Sequence, residues 1–137
     1  PPRSTLFPYT TLFRSDTQQI ERYFQFFSDS DFLIHPSRFH AAGIVISEAA
    51  AFGLPTITNN VGGLATTVLD NETGIVLPEK SPAAAYVTTI KSLVQDNDRY
   101  QKMRIAARER FDRELNWESA GKRLREIVHE VSLKHKK

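Results

Sequence analysis

The run GIVISEAAAFG, Gly43 to Gly53, constrains this chain more than any other feature. It is helix-sized, and Ile44, Val45, Ile46, Ala49, Ala50, Ala51 and Phe52 make it apolar nearly all round. A helix of that kind belongs in an interior. Before it stands DFLIHP, a short apolar run closed by Pro36 and consistent with a buried strand. After it stands LPTITN, a second β-rich run with Pro55 at its beginning, where proline is tolerated. Gly53 is a helix end signal. A third β-rich run, GIVLP, follows the loop NNVGGLATTVLDNETG, which has room for one helical turn. Strands that alternate with helices predict an α/β fold, a partial Rossmann-like parallel sheet with flanking helices on both faces.

The remaining segments read as amphipathic helices. DTQQIERYFQFF places Ile20, Phe24 and Phe27 at i, i+4 and i+7, and SDSD stops it. PAAAYVTTIKSLVQD opens with Pro82, a residue favoured in a first turn. DRYQKMRIAARERF carries Tyr100, Met103, Ala107 and Phe111 along one face. WESAGKRLREIVHEV carries Trp117, Ala120, Leu124, Val128 and Val131 likewise, after a candidate cap at Asn116.

Glu48 is the anomaly of the apolar helix. A carboxylate among such neighbours needs a partner, because an unpaired buried charge is very costly. A ligand with two neighbouring hydroxyls, such as a ribose, would satisfy both of its acceptor oxygens. Ala41, Ala42 and Gly43 fall where the helix begins, and small side chains there let an anion approach the positive end of the helix dipole. Phosphate at the helix start and ribose at the inner carboxylate would make a nucleotide site. A protein donor to Glu48, with the small residues serving close packing, satisfies the same pattern. Parallel sheets bind ligands beyond the carboxyl ends of their strands, which nominates two loops, PSRFHAAG and NNVGG.

Composition narrows the function by exclusion. The chain has 137 residues, enough for one domain or part of one. It contains no cysteine, which rules out a disulfide framework and a cysteine metal site. No apolar run is long enough for a transmembrane helix. The opening PPRSTLFPYTTLFRS, Pro1 to Ser15, has no clear apolar period and resembles a translated short-read sequencing adapter, so residues 1–15 are expected to be a non-native artefact. Arg3 and Arg14 fall within it, and the 18 basic residues of the chain without those two balance its 16 acidic ones. The apparent basicity therefore gives no argument for nucleic-acid binding.

Residues 16–137 resemble the C-terminal part of the nucleotide-sugar-binding domain of glycosyltransferases of family 4 (glycosyl transferases group 1), enzymes of the two-domain B fold. The family pattern P-S-x-x-E-x-x-G-x-x-x-x-E-A is matched by Pro36-Ser37, Gly43 and Glu48-Ala49. Gly53-Leu54-Pro55, Val61-Gly62-Gly63 and Thr73-Gly74 follow in register, and LNWESAGKRLREIV is similar to the family's tryptophan-led final helix. Each motif is short, but their order and spacing together are specific.

The resemblance implies a donor site at Ser37, His40, Ala41, Ala42, Gly43, Ile44 and Glu48. Glu48 falls on the ribose-binding glutamate, and Gly43 on the glycine whose backbone lies near the sugar and diphosphate. His40 stands where the family has its first glutamate, which bonds a hydroxyl of the donor sugar; imidazole can donate or accept there but brings no carboxylate. Ala42 replaces a usual aromatic, and Thr66 an acidic residue common after the double glycine.

The parent would be a retaining, metal-independent hexosyltransferase that uses no cofactor. It would take a nucleotide-diphosphate sugar and an unknown acceptor, with a cytoplasmic or peripheral membrane location. Its acceptor domain and diphosphate-clamping basic residues are expected to lie upstream, so this fragment alone is expected to be inactive and to contain no catalytic residue. Its strands would be the fourth to sixth of a sheet ordered 3-2-1-4-5-6, leaving DFLIH at an open edge. A related B-fold phosphorylase or sugar-nucleotide epimerase, and a non-catalytic sugar-nucleotide-binding module, are the alternatives.

Overall fold

Thr56–Asn59 forms a strand buried along its whole length, and the sheet is built around it. The computed structural model describes residues 17–41 and 43–134. The adapter-like residues 1–15 lie outside that range. The chain divides into two compact units, residues 1–30 and 31–137.

The first unit contributes helix α1, Thr17–Ser28. Its expected apolar face is only partly used: Phe27 is buried, with the Tyr23 ring edge-on to it at 5.1 Å, while Phe24 is 45% exposed. The SDSD stop acts through its hydroxyls. Ser28 and Ser30 donate to the carbonyls of Phe24 and Phe26, competing with the backbone bonds that would extend the helix.

The second unit holds β1 (Leu33–His35), α2 (Ile44–Ala51), β2 (Thr56–Asn59), a single turn α3 (Leu64–Thr67), β3 (Gly74–Leu77), α4 (Ala83–Gln95), α5 (Asn97–Arg110) and α6 (Trp117–Lys134). The strands are parallel in the order β1-β2-β3, with Ile34 opposite Ile57 and Ile57 opposite Ile75. Side chains alternate between the two faces. Ile57 and Ile75 join Tyr86, Leu93 and Met103 of α4 and α5 in one core, with Leu77 packed against it. Leu33 and Val76 pack against a second core of Ile46 from α2, Leu64 from α3, and Val61 and Val68 from the segments flanking α3. The expected sheet with helices on both faces is what forms.

Three expectations change in detail. β1 is not fully buried: Ile34 is 47% exposed, because the strand has β2 on one side and no other strand partner among the described residues. α2 buries one face, through Ile46, Ala49 and Ala50, while Ile44 is 59% exposed. Apolar character all round reports what a helix could bury, and the neighbours decide what it does bury. α6 keeps its apolar spacing but buries nothing: Trp117, Leu124, Val128 and Val131 are all exposed.

The helix ends follow the sequence signals. Gly53 adopts φ 65°, and the N–H groups of Gly53 and Leu54 bond the carbonyls of Ala50 and Ala49 at 2.9 and 3.0 Å. That is a Schellman end. Arg108 and Arg104 of α5 donate to the carbonyls of Ala51 and Gly53, satisfying further acceptors at the same terminus. Asn116 caps α6 by accepting from the Ser119 N–H at 2.8 Å, while its amide donates back to the carbonyls of Phe111 and Asp112. Those carbonyls belong to a π-helical turn, Phe111–Leu115, that joins α5 to α6. Arg110, buried just before it, donates to the Thr66 carbonyl at 2.6 Å and fastens α3 to α5.

Gly53→Ala should therefore destabilise the protein by about 1–2 kcal/mol, the ordinary penalty of a side chain in the left-handed region. A Cβ there would also approach the Arg104 carbonyl at 3.2 Å. Urea unfolding should show a lower midpoint at unchanged slope; an unmoved midpoint would contradict the strained helix end.

Candidate functional site

Both nominated loops lie at the carboxyl ends of adjacent strands, and the structure joins them into one site. The first leaves β1 at His35 and enters α2 at Ile44; the second leaves β2 at Asn59 and enters α3 at Leu64. Their backbones dock directly. Gly62 adopts φ 52°, and a Cβ at that position would run into the His40 carbonyl. The next N–H, that of Gly63, donates to the carbonyls of both His40 (3.3 Å) and Ala41 (3.1 Å). Only glycine permits so close an approach in that conformation.

Asn59 ties the strands to the loops. Its Oδ1 accepts from the Ser37 N–H at 2.9 Å, and its Nδ2 donates to the Glu79 carbonyl at 2.9 Å. Ser37 uses its hydroxyl on the Phe39 carbonyl, so both its hydrogen-bond donors shape the loop. Thr58 Oγ1 donates to the His35 carbonyl at 2.9 Å. The polar ends of a buried strand thus hold the first loop in place.

At the mouth of the site, Gly43 caps α2 with no side-chain hydrogen bond. An added Cβ would press the Ile46 side chain at 2.7 Å and that of Leu64 at 3.2 Å, so glycine lets α2 seat against α3. The Ile46 N–H already bonds the Gly43 carbonyl at 2.8 Å, while the N–H groups before it in the first turn have no acceptor within the helix, which leaves this end suited to an anion. Ile44 is exposed beside it, and Glu48, one turn further on, shares its face and is half-buried. Glu48 is therefore not on the core face of α2. Ala41 is exposed in the loop, and Ala42 lies outside the described residues.

His40 is half-buried, and its ring meets the His35 ring edge-to-face, with centroids 4.9 Å apart. His35 titrates below its ordinary value because burial disfavours its charged form and His40 repels it; the proximity of its own backbone opposes the shift without a well-formed hydrogen bond. Among the described residues no three His, Cys, Asp or Glu side chains form a metal-binding group.

The residues that organise this site include three to which the sequence reading gave no role: His35, Asn59 and Gly62. An asparagine closing an otherwise buried β-rich run was the available signal for one, and a second histidine ahead of the loop for another.

The family model for glycosyl transferases group 1 matches residues 10–110, beginning inside the adapter-like stretch. The chain belongs to that family. It is 31% identical over 90 residues to glycogen synthase of Mycobacterium tuberculosis, covering 66% of this chain and 22% of that protein. It is 32% identical over 102 residues to alpha-maltose-1-phosphate synthase of Mycolicibacterium smegmatis, covering 71% and 26%. The chain thus spans about a quarter of the length of these curated relatives.

Among solved structures, sucrose-phosphate synthase from Thermosynechococcus elongatus superposes with a TM-score of 0.69 at 28% identity, covering 80% of this chain and 27% of that one. HepE of Anabaena, solved in complex with UDP-glucose, shares the fold with a TM-score of 0.65 at 20% identity, covering 91% and 38%. The family's α/β fold, of the B-fold glycosyltransferase kind, is the one described above.

The lowered pKa of His35 has a stability consequence with a definite sign. The unfolded chain takes up this proton near pH 6.5 and the folded chain only at lower pH. The contribution of neutral His35 is complete above about pH 6.5 and is lost as pH falls toward the folded value. His35→Gln should flatten that part of the stability–pH curve in urea unfolding; a curve with the same slope in both proteins would contradict the assignment.

Proposed function

We propose that residues 16–137 form the C-terminal, donor-binding part of a retaining hexosyltransferase whose acceptor domain lies in the rest of the parent chain. Residues 1–15 stand outside this reading as an unrelated stretch. The donor is a nucleotide-diphosphate sugar. The observation that carries the reading is the docking of the two loops beside the start of α2, with Glu48 one turn inside.

In this arrangement the diphosphate lies at the first turn of α2, over the backbone of Gly43 and Ile44. Gly43 leaves room for its approach. Glu48 takes the two ribose hydroxyl protons on its carboxylate. His40 meets a hydroxyl of the sugar, in the place of the family's glutamate. The reaction is substitution at the anomeric carbon, in which the bond to the nucleotide diphosphate breaks and that to an acceptor hydroxyl forms. The leaving diphosphate gains stabilisation from helix-terminal N–H groups and from cationic groups expected upstream. The relatives' names, glycogen synthase and alpha-maltose-1-phosphate synthase, and the UDP-glucose held by HepE support a hexose donor of this class.

Calorimetry on the full-length enzyme, with UDP, ADP and GDP each offered free and as the glucose conjugate, tests the assignment. Glu48→Gln should weaken the free nucleotide diphosphate by roughly tenfold or more, since hydrogen bonds to a charged group are worth about 1.5–3 kcal/mol. His40→Ala should spare the free nucleotide and weaken the glucose conjugate. Equal nucleotide affinity in wild type and Glu48→Gln, or no binding of any of the three nucleotides to wild type, would sink the reading.

A further inference from the structure

The backbone of the first loop is held by Gly63, Thr58 and Asn59, but none of these holds the His40 side chain. His35 packs against that ring. The two rings meet at an interplanar angle of 71°, the edge-to-face arrangement in which aromatic rings attract. The Nδ1 atoms of both rings are sealed from solvent and have no hydrogen-bond partner. A buried nitrogen without a partner is costly, and a ring so placed keeps a fixed orientation only if something else restrains it. His35 is well suited to do so. It closes β1, its carbonyl is held by Thr58, and its backbone therefore moves only with the sheet.

We propose that His35 is a positioning residue for His40: its ring sets the orientation of the His40 imidazole, and through it the grip of the loop on the sugar of the donor. The inference rests on the donor-site reading above and adds a residue to it. His35 itself touches no substrate. Burial disfavours a charge on the His35 ring, which suits a packing role against its neighbour. The side chains that β2 sets against this loop by hydrogen bonds, Thr58 and Asn59, do not titrate in the working range.

Calorimetry with the glucose-bearing nucleotide and its free nucleotide diphosphate, on the full-length enzyme, tests it. His35→Ala should weaken the glucose conjugate about three- to tenfold, the range of one neutral hydrogen bond, and leave the free nucleotide diphosphate unchanged. His35→Phe keeps an aromatic edge against His40 and should recover most of that loss. The double variant His35→Ala/His40→Ala should bind the conjugate no more weakly than His40→Ala alone, because the one acts through the other. In a histidine-labelled sample, His40→Ala should also raise the titration midpoint of His35.

Additive losses in the double variant would overturn the proposal. So would an equal loss of free nucleotide and conjugate in His35→Ala, or a His35→Ala that binds as wild type while His40→Ala does not. If His35→Ala fails to fold, an unmoved His35 midpoint in His40→Ala overturns it on a variant whose sheet is untouched. Indifference of both Glu48→Gln and His40→Ala marks instead the failure of the donor site as a whole, and the positioning role falls with it.

Discussion

Everything at this site depends on one backbone contact, that of Gly62 and Gly63 against the carbonyls of His40 and Ala41. The left-handed Gly62 brings the second loop so close that no side chain fits between them. Gly63 then donates its single N–H to both carbonyls. A loop of eight residues (the length of PSRFHAAG) has too many conformations to present an ordered surface by itself. Bonds from its later part to the neighbouring loop and from Ser37 to Asn59 restrict that freedom ahead of α2.

The fold was legible where local chemistry decides. The three β-rich runs, Gly53 as a helix end and Asn116 as a cap are all set by residues within a few positions of one another, and the structure has them where the sequence put them. Two of the failures share a cause. That Ile34 and Ile44 face outward cannot be read from their own segments, because exposure depends on what the rest of the chain brings alongside. The π-helical turn at Phe111–Leu115 is invisible for the opposite reason, since its residues differ little in type from those of an ordinary helix end. At the candidate site, spacing nominated both loops but not the contact between them. Gly62 was quoted as a motif letter, and only the geometry gives that letter a physical duty.

Apolar side chains stay exposed on the second unit. Ile34 lies on a strand with one partner among the described residues, and α6 displays Trp117, Leu124, Val128 and Val131 to solvent along one stripe. A period of that kind arises where a helix face meets another surface, and large apolar patches on a soluble domain mark contact sites. The curated relatives are about four times as long as their matched segments. Sequence periodicity thus reported correctly that α6 has a face, and could not report what meets it. The same distinction separates the helix, which the chain determines locally, from its packing, which it does not.

The exchange of a carboxylate for His40 changes what the loop can recognise. A carboxylate is an acceptor only and carries a full charge; a neutral imidazole offers one donor and one acceptor, and its tautomer decides which edge presents which. A carboxylate therefore needs little help to bond a hydroxyl, since either oxygen will serve and each accepts over a wide angle. An imidazole must be turned correctly first. Replacement of the glutamate thus trades electrostatic strength for a dependence on ring orientation, and places that dependence on whatever the ring touches. In this chain that is the His35 ring, 4.9 Å away on the last residue of an edge strand. Burial disfavours the charged form of that second ring. On the donor-site proposal, the departure from the family pattern at His40 is to be read together with His35, a residue outside the glutamate-bearing stretch of that pattern, because the two rings pack on one another.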